Sequence, residues 1–199
     1  MLVSLYKNQS IYLVALLLGL PLPLLAVQLL WLNLVTNGIQ DVSLAFEKGE
    51  KGAMKHPPRN PKESIFDRLM IEQNMISGLT MGILAAGLWY YLLEYTTIEE
   101  ASARNLVLLL MVFLQNFHVF NCRSERVSTF KVPLKNNIIL VFGVLLAQGI
   151  HILSMQIPFM QQILGVEKIS FDQWILVAIL AIPIILVMEI YKMIKNARI

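Results

Sequence analysis

Ten residues near the amino terminus constrain this chain more than any others: Leu29-Leu30-Trp31-Leu32-Asn33-Leu34-Val35-Thr36-Asn37-Gly38. Their surroundings are apolar, yet Asn33, Thr36 and Asn37 fall at i, i+3 and i+4, which sets all three on one face of a helix. In water such a face is ordinary. In hydrocarbon, a buried amide or hydroxyl is costly unless it is paired or coordinates something. A polar face ending in a glycine at membrane depth is how transporters offer oxygen ligands to a desolvated cation. The helix is therefore expected to unwind near Asn37-Gly38.

Composition puts this segment in a bilayer. The chain is 57% hydrophobic and 15% charged, whereas soluble domains carry about 25% charged residues. A bilayer core is crossed by about 20 apolar residues, and that rule reads spans at 24–46, 70–93, 103–120, 138–155 and 171–194. A shorter apolar run, 11–20, supplies only about 15 Å of helix and reads as a truncated first span. It has no small-residue cleavage site, so it is not read as a signal peptide. The expected fold is an all-α membrane protein, a polytopic bundle of about six transmembrane helices in a single membrane domain over 1–199. The 47–69 loop, with Pro57-Pro58 and Pro61, reads as an extended connector rather than a domain.

The net charge of +3 is distributed by side, not by patch. Lys48, Lys51, Lys55, Arg59, Lys62 and Arg68 share one loop, Arg123, Arg126, Lys131 and Lys135 another, and Lys192, Lys195 and Arg198 the tail. The alternate loops hold Arg104 and Lys168. This asymmetry sets the 47–69 loop and the C-terminus in the cytoplasm and argues against a nucleic-acid partner. The lone Cys122 excludes an internal disulfide and a multi-cysteine metal centre. Trp89, Tyr90, Tyr91 and Trp174 read as an outer aromatic belt; Trp31, about 12 Å below Pro23, does not fit it.

Other polar positions extend the candidate site. Asp41 follows Asn37 by four residues, with Gln40 beside it, and reads either as a displaced site carboxylate or as an acid near cytoplasmic water. Gln115 and His118 share a face of the 103–120 span, where His118 reads first as a helix-to-helix hydrogen-bonding group. Gly78 and Gly82, with Ala85, Ala86 and Gly87 beyond them, form a small-residue face for close helix packing. Glu189 reads as a structural group near the end of the last span.

From Leu18 onward the chain resembles the last membrane spans of type II P-type cation-transporting ATPases, such as the calcium pumps. The block Val27-Gln28-Leu29-Leu30-Trp31-Leu32-Asn33-Leu34-Val35-Thr36-Asn37-Gly38 is similar to their sixth span, VQLLWxNLVTDG, and Met54-Lys55-His56-Pro57-Pro58-Arg59 to the M-x-x-P-P-R loop after it. The resemblance implies spans five (partial) to ten. It also implies a cation site using Asn33 and Thr36, with Asn37 where the family has Asp, Gln115 where the eighth span has Glu, and Asn8 near the fifth-span acid. Three anionic positions thus become neutral, and the charge that offsets a divalent ion's desolvation is missing. A monovalent cation or a proton suits such a set better than calcium.

The DKTGT phosphorylation motif and TGES actuator loop of such pumps do not occur in these 199 residues. Phosphoryl transfer needs a positioned nucleophile and magnesium ligands outside the membrane, so no ATP hydrolysis is expected from this chain alone. ATP and Mg would belong to missing domains, on a separate chain. The leading expectation is a C-terminal transport module of a cation pump in the plasma (inner) membrane. The alternatives are a non-enzymatic or assembly-only membrane fragment and an independent carrier or channel.

Overall fold

The computed structural model describes residues 20–48, 68–125 and 127–196, which are helical segments joined by turns, with no strand among them. Residues 11–19 of the 11–20 run, Lys7, Asn8 and the 54–59 block lie outside the described residues. In chain order the helices are α1 (Ala26–Trp31), a π-helical turn (Leu32–Asn37), α2 (Gly38–Leu44), α3 (Arg68–Tyr95), α4 (Glu100–Asn121), α5 (Ile138–Ser154), α6 (Pro158–Leu164), α7 (Phe171–Ala181) and α8 (Pro183–Asn196).

Helix α4 is the axis of the bundle. Every residue from Asn105 to Asn116 is buried, and the consecutive Leu108, Leu109, Leu110 and Met111 are each 0% exposed. Four successive residues point in four directions, so no side of this helix is left for lipid. A helix that is apolar all round needs neighbours all round; α3, α5, α7, α8, α2 and the π-helical turn provide them.

Helix α3 buries a stripe of small residues: Ser77, Gly78, Gly82, Ala85 and Ala86, with Met81 between them. The expected small-residue face is present at Gly78 and Gly82 but does not extend to Gly87, which is exposed with open space beside it. Helical spacing carries the stripe to Trp89 instead. That residue is 0% exposed rather than part of a lipid-facing belt, and its Nε1 donates to the Pro21 carbonyl at 3.0 Å. The Arg104 guanidinium lies 5.8 Å from the centre of the same ring. Tyr90 and Tyr91 are exposed.

Helices α5 and α6 meet at 96°. Pro158 fits the first turn of α6, where no N–H is needed, and Gly165 ends it in the left-handed region at φ 59°. Helices α7 and α8 run on from one another across Phe171–Lys195. Pro183 has no N–H to give, and tighter i→i+3 bonds, Ile182 to Ile179 at 3.1 Å and Ile185 to Ile182 at 3.0 Å, bridge the join.

Three helices among the described residues are long and apolar enough to cross a membrane: Arg68–Tyr95, Glu100–Asn121 and Phe171–Lys195. The bent α5–α6 pair would make a fourth. About six were expected; the α1–α2 segment is not among these spans.

Candidate functional site

The α1–α2 segment buries Gln28, Leu32, Thr36, Gln40 and Ser43, and Leu24, just before it, is buried as well. Their spacing is four residues, repeated, before a final three. In a regular α-helix each step of four drifts by about 40°, so a stripe from 28 to 40 would wind about 120° around the helix. It stays inward because the turn from Leu32 to Asn37 is π-helical, with more residues per turn. The Gly38 N–H reaches back five residues to the Asn33 carbonyl.

This winding corrects three expectations. Gly38 does not break the helix: at φ −59° and ψ −46° it is ordinary right-handed helix, and the irregularity precedes it. Asn33 and Asn37 flank the buried stripe rather than lead it; both are half-buried, and the Asn37 Nδ2 donates to the Asn33 Oδ1 at 3.1 Å. Asp41 is exposed and points away from the interior, because Gln40 takes the inward place after the widened turn.

The polar members of the stripe are satisfied one by one, with one exception. Gln28 is fully buried; its Oε1 accepts from the Leu25 N–H at 2.9 Å, and its Nε2 donates to the Leu164 carbonyl at 2.9 Å, closing the end of α6. Gln40 Nε2 donates to Asn116 Oδ1 on α4 at 2.6 Å, and Asn116 Nδ2 donates to Gln148 Oε1 on α5 at 2.8 Å. Ser43 Oγ donates to the Ile39 carbonyl at 2.7 Å. Gly143 of α5 lies so close to Ser43 that a Cβ there would stand 3.2 Å from the serine Cβ and collide with its hydroxyl.

Thr36 is the exception. It is 0% exposed, and its Oγ1 has no hydrogen-bond partner among the described residues. Gln115, on the helix packed against the π-helical turn, is buried and leaves its Oε1 equally unpaired. A buried acceptor without a partner costs about 1–3 kcal/mol, and both oxygens retain unused acceptor capacity. No group of histidine, cysteine and acidic side chains among the described residues could hold a metal ion. The available donors are neutral oxygens, which suit hard cations of low charge.

Sequence reasoning missed the polar bridge Gln40–Asn116–Gln148 and the role of His151. Trp31, anomalous at its depth, donates from Nε1 to the His151 Nδ1 at 3.1 Å. Gln148 and His151 are three residues apart on α5, the spacing that could have flagged a shared face.

The Arg123 end of the bundle carries the most buried ion pair among the described residues. Arg123 Nε and Nη2 each meet a Glu47 carboxylate oxygen at 2.9 Å, and its other donors reach the Val132 and Pro133 carbonyls at 3.2 and 2.9 Å. Burial pushes the Glu47 carboxyl up, but hydrogen bonds from Arg123 and Asn137 and the arginine's charge outweigh it and hold it below the ordinary 4.5. Asn137 also donates to the Ser43 carbonyl at 2.9 Å, and Lys192 Nζ to the carbonyls of Asn121 and Val127.

Comparison with known proteins agrees with this architecture. Residues 21–194 match the family model described as "Cation transporting ATPase, C-terminus". The chain is 34% identical over 169 residues to a "Calcium-transporting ATPase" of Bacillus subtilis, covering 84% of this chain and 19% of that protein. It is 31% identical over 196 residues to "Calcium-transporting ATPase 1" of Bacillus cereus (92% and 22%). Over 237 residues it is 26% identical to "Calcium-transporting ATPase 4, endoplasmic reticulum-type" of Arabidopsis thaliana (92% and 22%). The chain spans about a fifth of the length of these relatives. With its apolar helices, central buried α4 and polar inner stripe, the chain belongs to the cation-transporting ATPase C-terminus family and is a C-terminal transmembrane module of a P-type cation ATPase.

Proposed function

We propose that this module supplies part of an intramembrane cation site built from Thr36 and Gln115, with Asn33 and Asn37 at its edge, and that it works with nucleotide-binding and phosphorylation domains outside these 199 residues. The observation that carries this reading is the fully buried Thr36 hydroxyl, without a hydrogen-bond partner among the described residues. It sits beside a helix with a second unpaired buried oxygen, at Gln115. ATP and Mg would act in those domains.

The relatives carry calcium transport in their names, but the site here has amides where a divalent ion needs carboxylates. A monovalent cation or a proton is the favoured passenger. The basic loop residues set the 47–69 loop and the C-terminus on the cytoplasmic side of a plasma (inner) membrane.

Co-expression with a chain bearing the N-terminal spans and cytoplasmic domains tests the reading. Ion-stimulated ATPase activity is expected to require this module and to fall at least about tenfold in Thr36→Val, the loss of one oxygen ligand. Activity identical with and without the module rejects the pump-subunit role. The double substitution Asn37→Asp with Gln115→Glu restores two carboxylates and is expected to shift stimulation toward calcium.

A further inference from the structure

A cavity of about 460 Å³ opens at the Arg123 end, where the residues following α2 meet the loop between α4 and α5. Its lining includes Lys48, Lys131, Lys135, Arg123, Ser124 and Glu47. Arg123 and Glu47 neutralise each other through their forked pair. Three positive charges are left over. Lys48, Lys131 and Lys135 are exposed, and none of them forms an ion pair with any described residue. Unlike Arg123 and Lys192, which are spent on carbonyls and a carboxylate, these lysines surround a space that a ligand could enter.

The flanks of the cavity are apolar and equally exposed. Two 3₁₀ turns, Thr129–Lys131 and Leu134–Asn136, each pair a large apolar residue with a lysine. Phe130 is 75% exposed and stands beside Lys131; Leu134 is 56% exposed and stands beside Lys135. Phe46, two residues before Lys48, is 57% exposed, and Ile138, at the first position of α5, is 55% exposed. Both lie where an apolar helix meets its polar loop, the depth of the headgroup layer. A soluble anion needs the lysines and no apolar flank. A molecule carrying a phosphate with two acyl chains needs both.

We infer that this cavity binds the headgroup phosphate of an anionic phospholipid, held by Lys48, Lys131 and Lys135, with the acyl chains laid along the exposed apolar residues at the ends of α2 and α5. The inference rests on the bilayer setting and is independent of any role of Thr36 in cation binding. A basic cluster at the membrane surface attracts anionic lipid by about fivefold per lysine at low salt.

The test is lipid retention by the purified full chain, read by native mass spectrometry after reconstitution in phosphatidylcholine with and without phosphatidylglycerol. The wild-type chain is expected to retain phosphatidylglycerol over phosphatidylcholine by at least about tenfold, from the combined lysine contributions. Lys131→Gln alone reduces that preference about fivefold, and the triple Lys48→Gln, Lys131→Gln, Lys135→Gln variant removes it. The corresponding triple arginine variant keeps it. These side chains are exposed, so the substitutions leave the fold intact, and an unchanged elution volume in detergent checks this. Equal retention by the wild type and the triple glutamine variant overturns the inference. So does displacement of phosphatidylglycerol by inorganic phosphate at equal concentration, which would assign the cavity to a free anion.

Discussion

Helix α3 and the α1–α2 segment both press a buried stripe against the bundle, and they do so in opposite ways. The α3 stripe is small and mostly apolar, Gly78, Gly82, Ala85 and Ala86, and the helix runs 28 residues without interruption. The α1–α2 stripe is largely polar, Gln28, Thr36, Gln40 and Ser43, and the helix widens into a π-helical turn to keep those groups inward. Close packing through small residues needs only regular winding, because any smooth face will do. Burying amides needs each one aimed at a named partner, and the backbone gives up its regular period to achieve that. The regular helix serves as scaffold; the irregular one carries the chemistry.

Removing the anchor of the irregular segment is the harshest way to break this contrast. Arg123→Ala leaves Glu47, which follows α2, partly buried without its counter-charge, and is expected to cost about 3 kcal/mol, measured by denaturant titration in mixed micelles. A loss under about 1 kcal/mol would mean that solvent already shields the carboxylate.

Overpacking the scaffold comes next. Gly82→Leu forces a large side chain into a closed face and is expected to cost about 1–3 kcal/mol. Gly87→Leu, on the open side of the same helix, should change stability by no more than about 0.5 kcal/mol. Equal effects at the two positions would show that α3 has no preferred packing face.

Thr36→Val sharpens the comparison from the other side. Replacing an unpaired hydroxyl with a methyl group is expected to leave stability unchanged or raise it by up to about 1 kcal/mol, while any ion dependence is lost. A clear destabilisation would mean that the hydroxyl has a structural partner. The smallest effect is on acid stability. The Glu47 carboxyl titrates below its ordinary 4.5 in the folded chain. Its contribution is therefore complete above pH 4.5 and is lost as pH falls through the lowered folded value. Unfolding followed across that range should show the loss in the wild type and not in Arg123→Ala.

Span positions were legible because hydrophobic length is a one-dimensional signal. The 138–155 reading matches α5 to within one residue, and the 171–194 reading covers α7 and α8. The direction of polar groups was not legible, since it depends on residues per turn, and a single π-helical turn moved Asp41 outward and Gln40 inward. Helix α6 went unseen because seven residues are too few to display a period. Its signals were Pro158 and Gly165, at the two ends. The polar bridge through Asn116 joins three segments far apart in the chain, a relation that the periodicity of any one of them does not contain.

The burial of the central stretch of α4, Asn105 to Asn116, bears on how the chain enters the bilayer. With Asn105, Gln115, Asn116, His118 and Asn121 along its length, it is a poor candidate for release into lipid by itself, because each polar group lowers the gain from partitioning. Only four residues separate it from α3. The two would leave the insertion machinery as a hairpin, with the smooth glycine-bearing helix escorting the polar one until the later spans arrive to enclose it.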